Sequence, residues 1–110
     1  MTGALSPEIL ELIAERFRAL ADPGRLRILN VLMDGELTVS ELAEATELHQ
    51  ANLSKHLGVL RGCGFVERRK EGLYAYYRVA DSSVDQLCSI MCGRLEARAE
   101  KQATLLATGT

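Results

Sequence analysis

Thr38-Val39-Ser40-Glu41-Leu42-Ala43-Glu44-Ala45, then Thr46-Glu47-Leu48, then His49-Gln50-Ala51-Asn52-Leu53-Ser54-Lys55-His56-Leu57-Gly58-Val59-Leu60-Arg61-Gly62, is the stretch that decides the fold. Thr38 and Glu41 stand at capping-box spacing. The Thr38 hydroxyl can accept from the Glu41 amide, and the Glu41 carboxylate can reach back to the Thr38 amide. A short helix therefore opens at Thr38 and runs to about Ala45. Thr46-Glu47-Leu48 reads as a brief turn, and a further helix runs from about His49 to Gly62. Leu53, Leu57 and Leu60 share one face of that helix. Gln50, Asn52, Lys55 and His56 lie off that face.

Working outward from this pair, the period changes on the C-terminal side. Phe65-Val66-Glu67-Arg68-Arg69 and Leu73-Tyr74-Ala75-Tyr76-Tyr77-Arg78-Val79 are β-prone runs on either side of Glu71-Gly72. Glycine permits the positive φ of a tight hairpin turn. Residues 65–79 thus read as a two-stranded hairpin with a basic first strand. Asp81-Ser82-Ser83 then caps a last helix to about Leu106, whose apolar stripe is Val84, Leu87, Cys88, Met91, Leu95 and Ala99. On the N-terminal side, Ser6-Pro7 is an N-cap followed by a proline suited to the first helical turn. Ile9, Leu10, Ile13, Phe17 and Leu20 recur at helical spacing to about Ala21. Asp22-Pro23 repeats the start signal for a second helix, which stops near Asp34-Gly35.

The pattern is α+β, mostly α: about five helices with a hairpin wing, in one domain over residues 1–110. A short capped helix, a brief turn and a polar-faced helix, here residues 38–62, fit helix-turn-helix geometry. The second helix of such a pair can lie in the major groove of double-stranded DNA, and a basic hairpin can reach the flanking phosphates. The charge distribution agrees. From His49 to Val79 there are six Lys/Arg (Lys55, Arg61, Arg68, Arg69, Lys70, Arg78) against two acids (Glu67, Glu71). That segment carries +4 in a chain of net charge −2, so the remainder carries −6. A basic segment in an acidic chain offers one face to an anionic partner.

Other classes fit less well. No apolar run approaches the roughly 20 residues that span a bilayer. Met1 to Pro7 shows no basic segment followed by an apolar core, so no secretory signal is expected. Three cysteines, an odd number, argue for reduced thiols and a cytoplasmic protein rather than a disulfide framework. There is no pairing of histidine with a nucleophile and no phosphate-binding loop. Gly58, Gly62 and Gly64 do not follow a strand and make no dinucleotide fingerprint. An enzyme is not expected. A winged helix used only for protein contact is the competing class, and consecutive Arg68, Arg69 and Lys70 argue against it.

These residues together resemble the ArsR/SmtB family of winged-helix repressors. The resemblance covers about Phe17 to Leu95. It is carried by Ala19-Leu20-Ala21-Asp22-Pro23-Gly24-Arg25-Leu26-Arg27-Ile28-Leu29, by Leu37 to Ala43, by Gln50 to Arg61, by Gly64-Phe65-Val66, and by Glu71-Gly72 with Tyr76-Tyr77-Arg78-Val79. It implies a homodimer built on the first and last helices (residues 7–21 and 81–106), bound to a palindromic operator and released by an inducer. Carried over position by position, Gln50, Asn52, Ser54 and Lys55 face the groove. Gln and Asn can read adenine bidentately, and Lys can reach guanine or phosphate. Arg68, Arg69 and Lys70 sit on the wing. His56 either contacts DNA or hydrogen-bonds within the domain. His49 stands where many relatives carry a serine cap, and either caps poorly or contacts DNA.

The signal is less legible. Many metal-responsive relatives carry cysteines in the third helix, where this chain has Thr38 and Ser40. Others bind zinc on the last helix. Asp81 matches one such ligand, but Ser83, Arg94 and Ala97 occupy the other positions. What remains is Cys88 and Cys92, one turn apart on one face of the last helix. Two such thiolates can bridge a soft ion such as arsenite, mercury, cadmium or copper(I). Pairs from two chains could hold zinc or an iron–sulfur cluster. A disulfide between the two is disfavoured, because Cβ atoms one turn apart sit about 5–6 Å from each other and a relaxed disulfide wants roughly 3.5–4.5 Å. Cross-chain disulfides and thiol oxidation stay open. Simple packing is the alternative, since free cysteine behaves as a small hydrophobe. Cys63, at the end of the reading helix, is single and a weaker sensor candidate.

Overall fold

The Ser6 hydroxyl accepts the Ile9 amide at 3.2 Å and opens α1 (Pro7–Leu20), with Ala21 as its C-cap rather than its last residue. The computed structural model describes residues 4–107; the outermost three residues at each end of the expected 1–110 unit lie outside the described residues. Asp22 caps α2 (Pro23–Leu32) through the Arg25 amide at 3.1 Å. The capping box at Thr38 forms in both directions, with Glu41 N to Thr38 Oγ1 at 3.2 Å and Thr38 N to Glu41 Oε1 at 2.8 Å. It opens α3 (Val39–Thr46), which extends one residue past the expected end. The fourth helix, α4, spans Gln50–Gly62, with His49 as the N-cap outside it.

Three strands form where two were expected. Besides β2 (Val66–Glu71) and β3 (Tyr74–Val79), residues Leu37–Thr38 make a short β1. The antiparallel order is β1-β3-β2, with Leu37 opposite Tyr77 and Thr38 opposite Tyr76. The hairpin register pairs Val66 with Val79 and Glu71 with Tyr74. That register makes Gly72-Leu73 the two-residue turn, where Glu71-Gly72 was expected, and Gly72 adopts the φ of +60° that the turn needs. Phe65 precedes the strand instead of opening it and is buried in the core.

The core is the shared face of α2, α3 and α4 closed by the root of the wing. Ile28, Leu42, Leu53 and Leu60 are fully buried, with Leu29, Leu32, Leu57, Phe65 and Val66 nearly so. Each large aliphatic side chain here contributes about 1.5–3 kcal/mol of burial. α5 (Ser83–Ala107) is different. Val84 is buried against the core, and every residue from Asp85 to Leu105 is exposed. Leu87, Ile90, Met91 and Leu95 on α5, with Ile9, Leu10, Leu12 and Phe17 on α1, present apolar side chains to solvent.

Asp81 starts α5 and joins it to α1. One carboxylate oxygen accepts from the Ser83 amide at 2.9 Å and the Ser83 hydroxyl at 2.6 Å; the other pairs with Arg16. The Ser83 hydrogen bonds, with the Arg16 charge assisting, hold the Asp81 carboxyl below its ordinary value of 3.8. Folding thus favours the ionised form. The resulting stabilisation is complete above the unfolded value and is lost as pH falls through the lower folded one. Asp81→Asn is expected to lower stability at neutral pH and to flatten the acid limb of the stability profile. Urea unfolding followed across the acid range measures both.

Candidate nucleic-acid interface

The turn between α3 and α4 is fixed by three local devices. Glu47 takes a left-handed φ of 59°, the one positive-φ residue other than glycine among the described residues. Buried Thr46 donates its hydroxyl to the Leu42 carbonyl at 2.6 Å. Arg27 of α2 donates to the Thr46 carbonyl at 3.1 Å. With Leu53, Leu57 and Leu60 buried, the orientation of α4 about its own axis is set. Gln50, Asn52, Ser54 and Lys55 are then all exposed. His49 makes no side-chain cap, and its carbonyl accepts the Leu53 amide at 2.8 Å.

His56 is drawn inward. Its Nδ1 lies 3.3 Å from Arg25 Nη1 and its Nε2 lies 3.9 Å from the Asp22 carboxylate. Gly24 leaves the room: a Cβ there would sit 3.1 Å from His56 Nε2 and 3.0 Å from Asp22 Oδ1. Arg25 also donates to the carbonyls of Ala19 at 2.6 Å and Arg18 at 3.2 Å. His56 thus has polar partners within the domain.

The three consecutive wing cations separate by strand alternation. Arg68 lies opposite Tyr77 and Lys70 opposite Ala75, on the face that turns toward α4. Arg68, Gln50, Ser54, Thr38 and Ser40 line one open cleft with Tyr74 and Tyr77. Arg69 is on the other face. It grips Glu36 at 2.6 and 3.2 Å, pairs with Glu71 at 2.5 Å and lies 4.6 Å over the Tyr76 ring. The Arg69 hydrogen bond also holds the Glu36 carboxyl below its ordinary range. On the same face, Glu67 pairs with Arg78. Among the residues that line the cleft, the cation is Arg68, and Lys55 and Lys70 are exposed elsewhere on α4 and β2.

Sequence reasoning missed Arg16. It donates to the Cys63 carbonyl at 2.6 Å, pairs with Asp81 and lies 4.2 Å over the Phe65 ring. The available signal was a cation among Ile13, Phe17 and Leu20 on the apolar side of the first helix.

Cys88 and Cys92 are free and exposed, and Cys63 is half-buried. Cys92 Sγ donates to Glu96 Oε1 at 3.5 Å. That hydrogen bond, together with the carboxylate charge, pushes the Cys92 thiol above its ordinary range. Among the described residues, no group of three or more His, Cys, Asp or Glu side chains gathers to hold a metal. One chain thus offers a pair of sulfurs rather than a complete coordination shell. Glu96→Gln is expected to lower the Cys92 pKa and speed its alkylation by iodoacetamide at mildly alkaline pH. The Cys88 rate should stay unchanged. Peptide mapping of the labelled protein over time checks this.

Five helices, a three-stranded wing and an exposed polar row on the second helix of a helix-turn-helix define a winged-helix DNA-binding regulator. Comparison with known proteins agrees. The family model described as bacterial regulatory protein, arsR family, matches residues 22–68. The HTH-type transcriptional regulator CmtR of Mycobacterium bovis is 47% identical over 70 residues, 64% of this chain and 59% of CmtR. The probable mercury resistance operon repressor of Streptomyces lividans is 42% identical over 74 residues, 67% of this chain and 59% of that protein. The match thus spans about three fifths of the length of these two relatives. The solution structure of the homodimeric winged helix-turn-helix DNA-binding domain of Mb0332 from Mycobacterium bovis superposes with a TM-score of 0.76 at 33% identity, covering 92% of this chain and 95% of that one. The chain belongs to the ArsR family of bacterial regulatory proteins, a family of transcriptional regulators and not of enzymes. Among the described residues, no helix is long and apolar enough to cross a membrane.

Proposed function

We propose that residues 1–110 form a single-domain, cytoplasmic, homodimeric repressor that binds a palindromic operator and is released when the α5 thiols take up a soft metal or metalloid ion. The observation that carries the DNA reading is the cleft itself. Gln50 and Ser54 of α4 line it together with Arg68 of the wing, so base-reading and phosphate-binding groups meet on one surface, and Asn52, Lys55 and Lys70 are exposed on the same two elements. His49 lies at the edge of this surface. His56 and Arg69 act differently from the rest. His56 locks α4 to the start of α2, and Arg69 braces the wing against Glu36.

The homodimer reading rests on the apolar faces of α1 and α5, which no other element covers among the described residues. Burying Leu87, Ile90, Met91 and Leu95 against a second copy removes a surface that would otherwise stay wet. The homodimeric state of the Mb0332 domain supports it. Cys88 lies on the stripe and Cys92 beside it, so dimerisation through this face would bring thiols of both chains to one seam. A soft ion held there would supply thiolate bonds that favour one arrangement of the two chains. The mercury-resistance name of the Streptomyces relative is consistent with a thiophilic signal.

Binding to promoter-region DNA is expected to weaken steeply with salt. Arg68→Ala with Lys70→Ala should flatten that dependence by about two phosphate contacts' worth, roughly 0.9 in logarithmic slope for each. Arg69→Ala should leave the slope near wild type while lowering thermal stability. Equal slopes for all the variants would place the wing away from DNA. Arsenite, cadmium or zinc added to the complex should release DNA from the wild type and leave Cys88→Ser/Cys92→Ser bound. Release of both proteins alike would remove the α5 thiols from the signal.

A further inference from the structure

Leu73 is 98% exposed, far more than any other large apolar residue of the described chain. It occupies the second position of the Gly72-Leu73 turn, at the outermost point of the wing, and Tyr74 beside it is 62% exposed. Neither residue can bind a phosphate by charge. The one carboxylate adjoining the turn, Glu71, is already paired with Arg69 at 2.5 Å. The tip is therefore an apolar point with its local negative charge neutralised, and Arg68 and Lys70 stand behind it along the strand.

Such a tip suits one part of a DNA duplex. A strand of six residues at about 3.3 Å each reaches roughly 20 Å. Leu73 and Arg68 line the same cleft as Gln50 and Ser54 of α4, so with α4 in a major groove Arg68 would face the adjoining phosphates and the turn would face the neighbouring minor groove. That groove is about 6 Å wide. It admits a two-residue turn more readily than a helix. Apolar side chains that enter minor grooves wedge between base steps and partly unstack them.

We infer that Leu73 is a minor-groove wedge, inserted at a pyrimidine–purine step flanking the sequence read by α4. The inference rests on the DNA-binding reading above. Pyrimidine–purine steps are the most easily unstacked, so Leu73 would confer sequence preference at base pairs that receive no hydrogen bond from the protein.

The test begins by selecting duplexes from a random pool with the wild-type protein. Failure to enrich any duplex would overturn the DNA-binding reading and this inference with it. If duplexes are enriched, 2-aminopurine is placed at each flanking step, and its fluorescence is followed on binding of the wild type, Leu73→Ser and Leu73→Met. Because Leu73 is almost wholly exposed, these variants should fold as the wild type does; circular dichroism verifies it. The expected result is a rise in fluorescence at one flanking step, absent with Leu73→Ser and largely retained with Leu73→Met. It should be accompanied by roughly tenfold weaker binding of the serine variant and loss of its preference for TA or CA steps there. If Leu73→Ser binds with wild-type affinity and wild-type fluorescence, Leu73 is no wedge and the DNA-binding reading stands alone. A serine variant altered in self-association or vesicle binding, but not in DNA binding, would likewise overturn the inference.

Discussion

Arg16 occupies a junction between parts of the chain that share little other contact. Its guanidinium holds the carbonyl where α4 ends, the carboxylate where α5 begins and the face of the Phe65 ring between them. Remove that group and α1 touches the rest of the domain chiefly through Ala19, Leu20 and the turn into α2. The polar reading face is oriented from one side by buried leucines and from the other by this cation. Arg16 thus links the helices that present the apolar faces to the end of the helix that presents the polar one, beside the Arg25 contacts to α1 and His56 and the burial of Val84 in the core.

A comparable economy governs the charges of the wing. Three cations in sequence look like a uniform patch, and the pleat makes them two different things. Arg68 and Lys70 remain exposed on the cleft side, whereas Arg69 is committed to two carboxylates and a ring. An isolated hairpin of six-residue strands is marginal in water. Here it is steadied by a third short strand and by the Glu36 bridge, both from the loop after α2. The rigidity of the wing is therefore owed to residues outside it.

The middle of the chain was legible because its signals are local. A capping box, a proline after a capping aspartate and leucines at helical spacing each act within one or two turns, and each produced the expected element. The third strand was not legible, because Leu37–Thr38 is too short to show a period and exists only through pairing with β3. The separation of Arg69 from its neighbours needed the hairpin register, which moved when Gly72-Leu73 became the turn. The inward position of His56 needed the approach of α2, and its only local trace was Gly24 beside Asp22. The thiols were found by spacing, but not the influence of Glu96, a further turn along the same helix face.

Thr38 serves two structures at once. Its backbone lies in the sheet opposite Tyr76, and its side chain and amide close the start of α3. The wing and the helix-turn-helix therefore lack a slack joint between them and behave as one geared piece. Any force that tilts the hairpin is delivered to the first turn of α3, and through the short Thr46–His49 connection to the angle of α4. A winged helix joined in this way gives up the freedom to adjust its wing and its reading helix separately. It gains a fixed distance between the points at which it meets a long, regular partner.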